Sequence, residues 1–211
     1  MKFFKLLGLS AVLAATLASC GSSCEDAKSK ACNDNGNSVI ETIMSRSVRD
    51  YQTRVVPRDT MQIIARCGIN APNAMNRQEW EIRIVDNPDF IDGLTALFVK
   101  ENPKAAEAPG FRNMFRNAPT VVFIAAPEGS YSGVNCGLLG ENMILAAWSM
   151  GIGSCCLGGP VAFMKSEAAA DYLAQLNFSE GYTLLYAIGF GFPAETPEAR
   201  PRDESKIVFV D

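Results

Sequence analysis

Residues 138–160 read LLGENMILAAWSMGIGSCCLGGP: thirteen nearly all apolar residues, with Glu141 as their one charge, then ten that include four glycines. Thirteen falls short of the ~20 apolar residues that a helix needs to cross a bilayer. The pattern therefore predicts a helix over 138–150 that is buried on most faces, in the core or against a second subunit. Gly151 and Gly153 end it, and Cys155–Pro160 is predicted as a tight loop. Glycines there let backbone N–H groups come close to a flat ligand, although a plain helix-to-strand connection would read the same way.

On either side lie compact apolar runs of strand length, Thr120–Ala126 and Tyr182–Phe190. Trp80–Val85 alternates as a strand does and is closed by Asp86-Asn87-Pro88. Helices are predicted where Val39, Ile40 and Ile43 recur up to Met44, from Pro57 to a stop at Gly68, near Phe90–Lys100, and from Ser166 to Ala174. Asn70–Gln78 reads as an ordered loop, and the stretch before Thr120 as one broken by proline and glycine. The proline-rich tail from Phe192 reads as an arm that wraps over something and ends in a small strand at Ile207–Val210. No GxGxxG opens a helix after the first strand, so a Rossmann dinucleotide site is not supported. An α+β sandwich fits the irregular spacing better.

At the amino terminus, Lys2 and Lys5 precede an apolar run from Leu6 to Thr16, and Leu17-Ala18-Ser19 stands before Cys20. This is the pattern of a secretion signal, too short for a permanent span. Leu-Ala-Ser-Cys also resembles the bacterial lipobox, which implies cleavage after residue 19, lipidation of Cys20 and a membrane-anchored protein of the cell envelope. Residues 20–37 are polar and rich in Gly and Asn, and read as a tether. The 38–211 remainder is long enough for one domain with a sizeable core. Cys24 and Cys32 either pair in an oxidising compartment or stay free.

Hydrophobic residues at 48% and charged residues at 20% describe a globular protein. Loss of Lys2 and Lys5 with the signal takes the formal charge from −4 to −6, so nucleic acid is not expected as a partner. Histidine is absent, which excludes Ser-His and Cys-His nucleophile pairs and His-containing zinc sites.

Three separated clusters share a theme. Ser45-Arg46-Ser47-Val48-Arg49-Asp50-Tyr51 offers cations and hydroxyls suited to a phosphate. In Ala71–Trp80, Asn76 and Gln78 would point the same way if the loop were extended, each offering a donor and an acceptor. The third is Gly151–Pro160. Alone, each has an ordinary reading: a charged helix end, a polar turn, a connection.

Together, in this order, they resemble the nitroreductase family, whose pattern runs Arg-Arg-Ser-x-Arg-x-Phe, Ala-Pro-Ser-x-x-Asn-x-Gln-Pro-Trp, Gly-Leu-Gly-Ser-Cys-Trp-Leu-Gly-Gly and Gly-x-Pro followed by basic residues. The last is matched by Gly191-Phe192-Pro193 with Arg200 and Arg202. The resemblance implies a homodimeric three-layer α+β sandwich with a central, mostly antiparallel sheet and one FMN in each of two sites at the subunit interface. Arg46, Ser47 and Arg49 would hold the phosphate and ribityl chain, with Arg200 and Arg202 reaching it from the tail. Asn73, Asn76 and Gln78 would contact the ribityl chain or ring, and the Gly158 and Gly159 amides would face the ring near N5.

The implied activity is hydride transfer from NADH or NADPH through flavin N5 to a small acceptor such as a nitroaromatic or quinone. No side-chain acid or base is required, which agrees with a chain lacking histidine. Ser45, Asn73, Glu79 and Cys156 depart from the pattern, and the last two alter what can stack on the ring. An envelope location leaves the electron donor open, since nicotinamide nucleotides are cytosolic. A catalytically silent flavin-binding lipoprotein is the alternative; thiol chemistry at Cys155 and Cys156 is a further one.

Overall fold

The computed structural model describes residues 38–129 and 131–210; the signal at 1–19, the tether at 20–37 and Cys20, Cys24 and Cys32 lie outside them. In chain order the elements are α1 (Ser38–Ile43), α2 (Arg58–Ile69), β1 (Glu81–Val85), α3 (Pro88–Glu101), β2 (Thr120–Pro127), α4 (Ser132–Ser149), β3 (Gly153–Leu157), α5 (Gly159–Met164), α6 (Ala170–Gln175) and β4 (Tyr182–Gly191). Short 3-10 turns occupy Ala74–Asn76, Pro103–Glu107, Glu167–Ala169 and Glu204–Lys206.

The four strands form one sheet in the order β1-β2-β4-β3, and each neighbouring pair is antiparallel. Both central strands are covered on both faces. This explains why β2 reads as an unbroken apolar run rather than an alternating one. Val121 and Phe123 of β2 pack with Ile91 and Leu94 of α3 and with Val161 and Met164 of α5. Val122, Ile124 and Ala126 pack on the opposite side with Met61 and Ile64 of α2 and Leu139, Met143 and Ala147 of α4. Alternate side chains of one strand therefore feed two cores, which is the three-layer sandwich expected.

Three local expectations are corrected. Of the tight loop expected over Cys155–Pro160, Cys155–Leu157 belongs to an edge strand paired with β4 and Gly159 already starts α5: the register sets Gly153 opposite Gly191 and Leu157 opposite Ala187. The hydrogen-bonding demand of the exposed β4 edge overrides the weak strand propensity of Gly-Ser-Cys-Cys. Only Gly151, at φ +72°, ends α4, since Gly153 already lies in the strand. Ile207–Val210 forms no strand among the described residues, and all four side chains are largely exposed.

Helix α4 begins six residues before the predicted start. Asn135, Cys136, Leu139, Gly140, Met143 and Ala147 are buried, while Val134 and Leu138 remain 58% and 41% exposed. One face is in the core and the other is free of basic side chains. None of the described helices is long and apolar enough to cross a membrane.

Candidate functional site

The end of β3 opens into a cleft of about 630 Å³. Its floor is Cys155–Pro160, the last residues of β3 and the turn into α5, and its far wall is Phe98 of α3 with residues from the 105–117 segment. Arg49 reaches it from the loop after α1. That loop is docked on β3: the Val48 N–H donates to the Ser154 carbonyl at 2.9 Å, and Val48 is wholly buried. Tyr51 anchors the other end, its hydroxyl donating to the Val48 carbonyl at 2.5 Å, and burial pushes its phenol well above the ordinary range. Gly153 and Gly191 make the docking possible, because a Cβ at Gly153 would lie 2.7 Å from Val48 Cγ2 and one at Gly191 would lie 2.8 Å from Tyr51 Cδ1.

The tail completes the support. After β4 the chain turns back along the loop, with Gln52 N–H donating to the Phe192 carbonyl at 2.9 Å and Ala194 N–H to the Asp50 carbonyl at 3.0 Å. Glu195 then accepts the backbone N–H groups of both Arg49 and Asp50 on one carboxylate oxygen. Those two donors are taken, so an anion arriving here meets side chains rather than amides. Arg46 is half-buried with its Nη1 on the Met44 and Ser45 carbonyls, while its buried Nε has no partner among the described residues. Arg49 is exposed and donates to the Ser47 carbonyl at 3.2 Å; Ser47 is exposed as well.

At the turn, nothing lies within 4 Å of where a Cβ would stand at Gly158 or Gly159. Among the described residues, those that line the cleft include Arg49 and Arg116 and no Asp or Glu. The structure thus brings Arg49, Gly158 and Gly159 into one cleft.

It does not bring Asn73, Asn76 and Gln78 there. The loop is not extended: Met75, Asn76 and Gln78 all have φ between 52° and 55°, so the predicted alternation of Asn76 and Gln78 fails. Asn73 is consumed locally, its Oδ1 accepting the Gln78 N–H at 2.9 Å and its Nδ2 donating to the Ala71 carbonyl. Asn135 of α4 accepts the Ala74 N–H at 3.1 Å and holds the loop on that helix. Asn76 and Gln78 are exposed, beside a separate pocket shared by Met75, Arg77 and Glu79 with Tyr131 and Ser132. Arg200 and Arg202 are exposed too, with Arg202 Nη1 on the Arg200 carbonyl, and neither lines the cleft.

Two contributors lie outside every motif of the sequence. Glu195 is one acid in the proline-rich tail, and residues 103–117 belong to the stretch before Thr120 broken by proline and glycine, although an interrupted segment of that length is itself a signal of a functional loop. The adjacent cysteines give no activated thiol. Burial raises both Cys155 and Cys156, and a raised thiol is the opposite of what a nucleophile requires.

The model of the nitroreductase family matches residues 44–192. A Vibrio harveyi protein named NADPH-flavin oxidoreductase is 28% identical over 179 residues, covering 82% of this chain and 72% of that protein. The solved structure of a nitroreductase with bound FMN from Desulfitobacterium hafniense aligns with a TM-score of 0.74 and 26% identity, over 83% of this chain and 99% of the other. A second FMN-bound nitroreductase, from Bacteroides fragilis, aligns at 0.71 with 24% identity, over 83% and 100%.

Proposed function

This chain belongs to the nitroreductase family, and we propose that it is an FMN-dependent oxidoreductase whose cleft beside Arg49 and Gly158 holds the flavin. The observation that carries the reading is the convergence of the Arg49 loop and the Gly158–Gly159 turn, remote in sequence, on one cavity without a carboxylate. The residues present fit the group. The unpartnered buried Nε of Arg46 asks for an acceptor, the exposed guanidinium of Arg49 suits a phosphate, and the open space over Gly158 and Gly159 lets a flat ring approach the backbone. FMN, when bound, supplies two-electron transfer at N5.

The chain's own part is to grip and orient. In this reading Arg46 and Arg49 neutralise the phosphate and the Ser47 hydroxyl donates a hydrogen bond to it, the amides at Gly158 and Gly159 face the ring, and Arg200 and Arg202 close over the phosphate from the tail. The wall of Phe98, Phe111 and Met114 keeps water from the ring and leaves room for a small acceptor, such as a nitroaromatic or quinone. NADH or NADPH is the proposed donor, or an envelope carrier in its place.

A homodimer accounts for what one chain leaves over. Val39, Ile40, Ile43 and Met44 of the α1 region, Val134 and Leu138 on α4, and Ile207–Val210 of the tail are exposed and apolar. Asn73, Asn76 and Gln78, turned away from their own cleft, are proposed to serve the site of a second copy. Cys20 is the proposed lipid attachment point, with residues 20–37 as the tether to an envelope membrane.

A visible absorption spectrum of the purified protein, followed by anaerobic titration with NADH and NADPH, tests the core of this. Flavin bands that bleach on reduction and return with a nitroaromatic or quinone are expected. A colourless protein that takes up no added FMN removes the reading, and a bound flavin that no donor reduces leaves a binding protein without turnover. For the anchor, Cys20→Ala should abolish labelling by radioactive fatty acid and move the protein out of the membrane fraction.

A further inference from the structure

Arg116 is the second guanidinium in the cleft, and the structure spends unusual backbone geometry on it. Arg116 and Asn117 follow one another at φ +57° and +64°. Left-handed backbone is unfavourable for a non-glycine residue, and more readily borne by Asn than by Arg. The pair is the tip of a turn closed by Ala118 N–H donating to the Phe115 carbonyl at 3.2 Å. Both ends are pinned: Phe115 and Ala118 are wholly buried, and Ala118 packs against Gly189 of β4.

Asn117 locks the conformation from within. Its Oδ1 accepts the N–H groups of Arg112 at 2.8 Å and Asn113 at 3.2 Å, and its Nδ2 donates to the Gly110 carbonyl at 2.8 Å. Asn113, nine-tenths buried, accepts the Phe115 N–H and donates to the Ala118 carbonyl. Asn113 and Asn117 are thus satisfied within the turn, and Arg112 is held outside it by the Tyr51 carbonyl and the Asp50 carboxylate. Arg116 is the turn's one charged residue that lines the cleft; it is exposed and has no ion pair among the described residues. Phe98, Phe111 and Met114 line the same wall. A cation carried on a pinned backbone turn beside an apolar wall, in a protein of net negative charge, suits a flat apolar molecule bearing an anionic group.

We propose that Arg116 is the specificity-determining residue of the cleft, pairing with an anionic group on the substrate that enters beside the cofactor. This rests on the cleft being the flavin site. The anionic group belongs either to the acceptor, as a carboxylate on an aromatic ring, or to the nicotinamide donor, as its pyrophosphate.

Arg116→Gln and Arg116→Lys test it, since both keep a long polar side chain and add no strain at a left-handed position. The ratio of KM for 4-nitrobenzoate to KM for the neutral 4-nitrobenzamide should rise about tenfold in Arg116→Gln, the size of one lost charge-assisted contact, with partial recovery in Arg116→Lys. A tenfold rise in KM for NADH, with that ratio constant, upholds the proposal and assigns the anion to the donor. Constancy of both KM readouts overturns it, and so does an equally large loss of FMN affinity by fluorescence titration, which would make Arg116 part of the phosphate grip. Equilibrium dialysis of 4-nitrobenzoate against flavin-free protein separates the two readings. Weaker retention by Arg116→Gln in a protein that never takes up FMN upholds Arg116 and removes the flavin, whereas equal retention there removes Arg116.

Discussion

The Glu195 carboxylate accepts the backbone N–H of Arg49, and through the same oxygen that of Asp50 at 3.1 Å, tying the tail to the loop that carries one of the cleft's two cations. This contact sets where the Arg49 side chain starts. Glu195→Ala leaves two amides without their acceptor and lets the loop shift, so FMN affinity is expected to fall about tenfold. Glu195→Gln keeps a carbonyl acceptor at the same place and should stay within about threefold of the parent. Fluorescence titration of FMN reads both; equal losses in the two variants would mean that charge, not position, is what Glu195 supplies.

Arg49 and Arg66 are both exposed arginines, but only Arg49 lines the cleft, while Arg66 stands on the open face of α2. Arg49→Ala is therefore expected to weaken FMN retention by at least tenfold, and Arg66→Ala by less than twofold. Matching dissociation constants would take Arg49 out of the phosphate site.

How far the sequence disclosed this arrangement depends on whether a segment's fate was decided locally. Thr120–Ala126 and Tyr182–Phe190 were legible as strands because burial on both faces leaves an apolar run of strand length. The helix at α2 was legible because Met61 and Ile64 keep helical spacing in front of Gly68. Gly153–Leu157 was not, since its strand exists only by pairing with β4, a partner some thirty residues on. That the loop of Asn76 and Gln78 is not extended was hidden for a related reason: a contact to Asn135 of α4 holds it coiled, and nothing in its own residues announces that contact. Within the site, Arg49 and the Gly158–Gly159 turn could be named from a motif. Glu195 and Arg116 could not, because each acts through a backbone turn formed by remote packing.

Arg58 and Asp86 join the start of α2 to the end of β1 through two parallel hydrogen bonds, Nε to Oδ2 and Nη2 to Oδ1, each 2.6 Å. The hydrogen bonds from Arg58 hold the Asp86 carboxyl below its ordinary range. A carboxylate whose folded pKa is depressed contributes stability above its unfolded pKa, about 3.9, and loses it as the pH falls through the folded value. Asp86→Asn should accordingly lower the urea midpoint at pH 7, and the gap from the parent should close as the pH drops below about 4. A gap that persists undiminished at pH 2 would show that the pair's charge does not matter.

Gly153 and Gly158 are five residues apart, and the same substitution should cost stability at the first but not at the second. A Cβ at Gly153 meets Val48 Cγ2 at 2.7 Å, Val48 Cβ at 2.9 Å and Pro193 Cγ at 3.1 Å, all on the two segments that seat the Arg49 loop. Val48 is β-branched and wholly buried, so it has no free rotamer to retreat into. Gly153→Ala is expected to cost about 1–3 kcal/mol of stability, an overpacking penalty, and to weaken FMN binding by displacing the loop. Gly158 has φ −87° and open space where its Cβ would stand, so Gly158→Ala strains nothing and the melting temperature should hold. Its methyl group would instead occupy the approach to the backbone that a flat ring needs, lowering FMN affinity in a fully folded protein. Thermal melts of both variants alongside flavin titration separate the cases, and an unaltered affinity in Gly158→Ala would place the ring away from this turn.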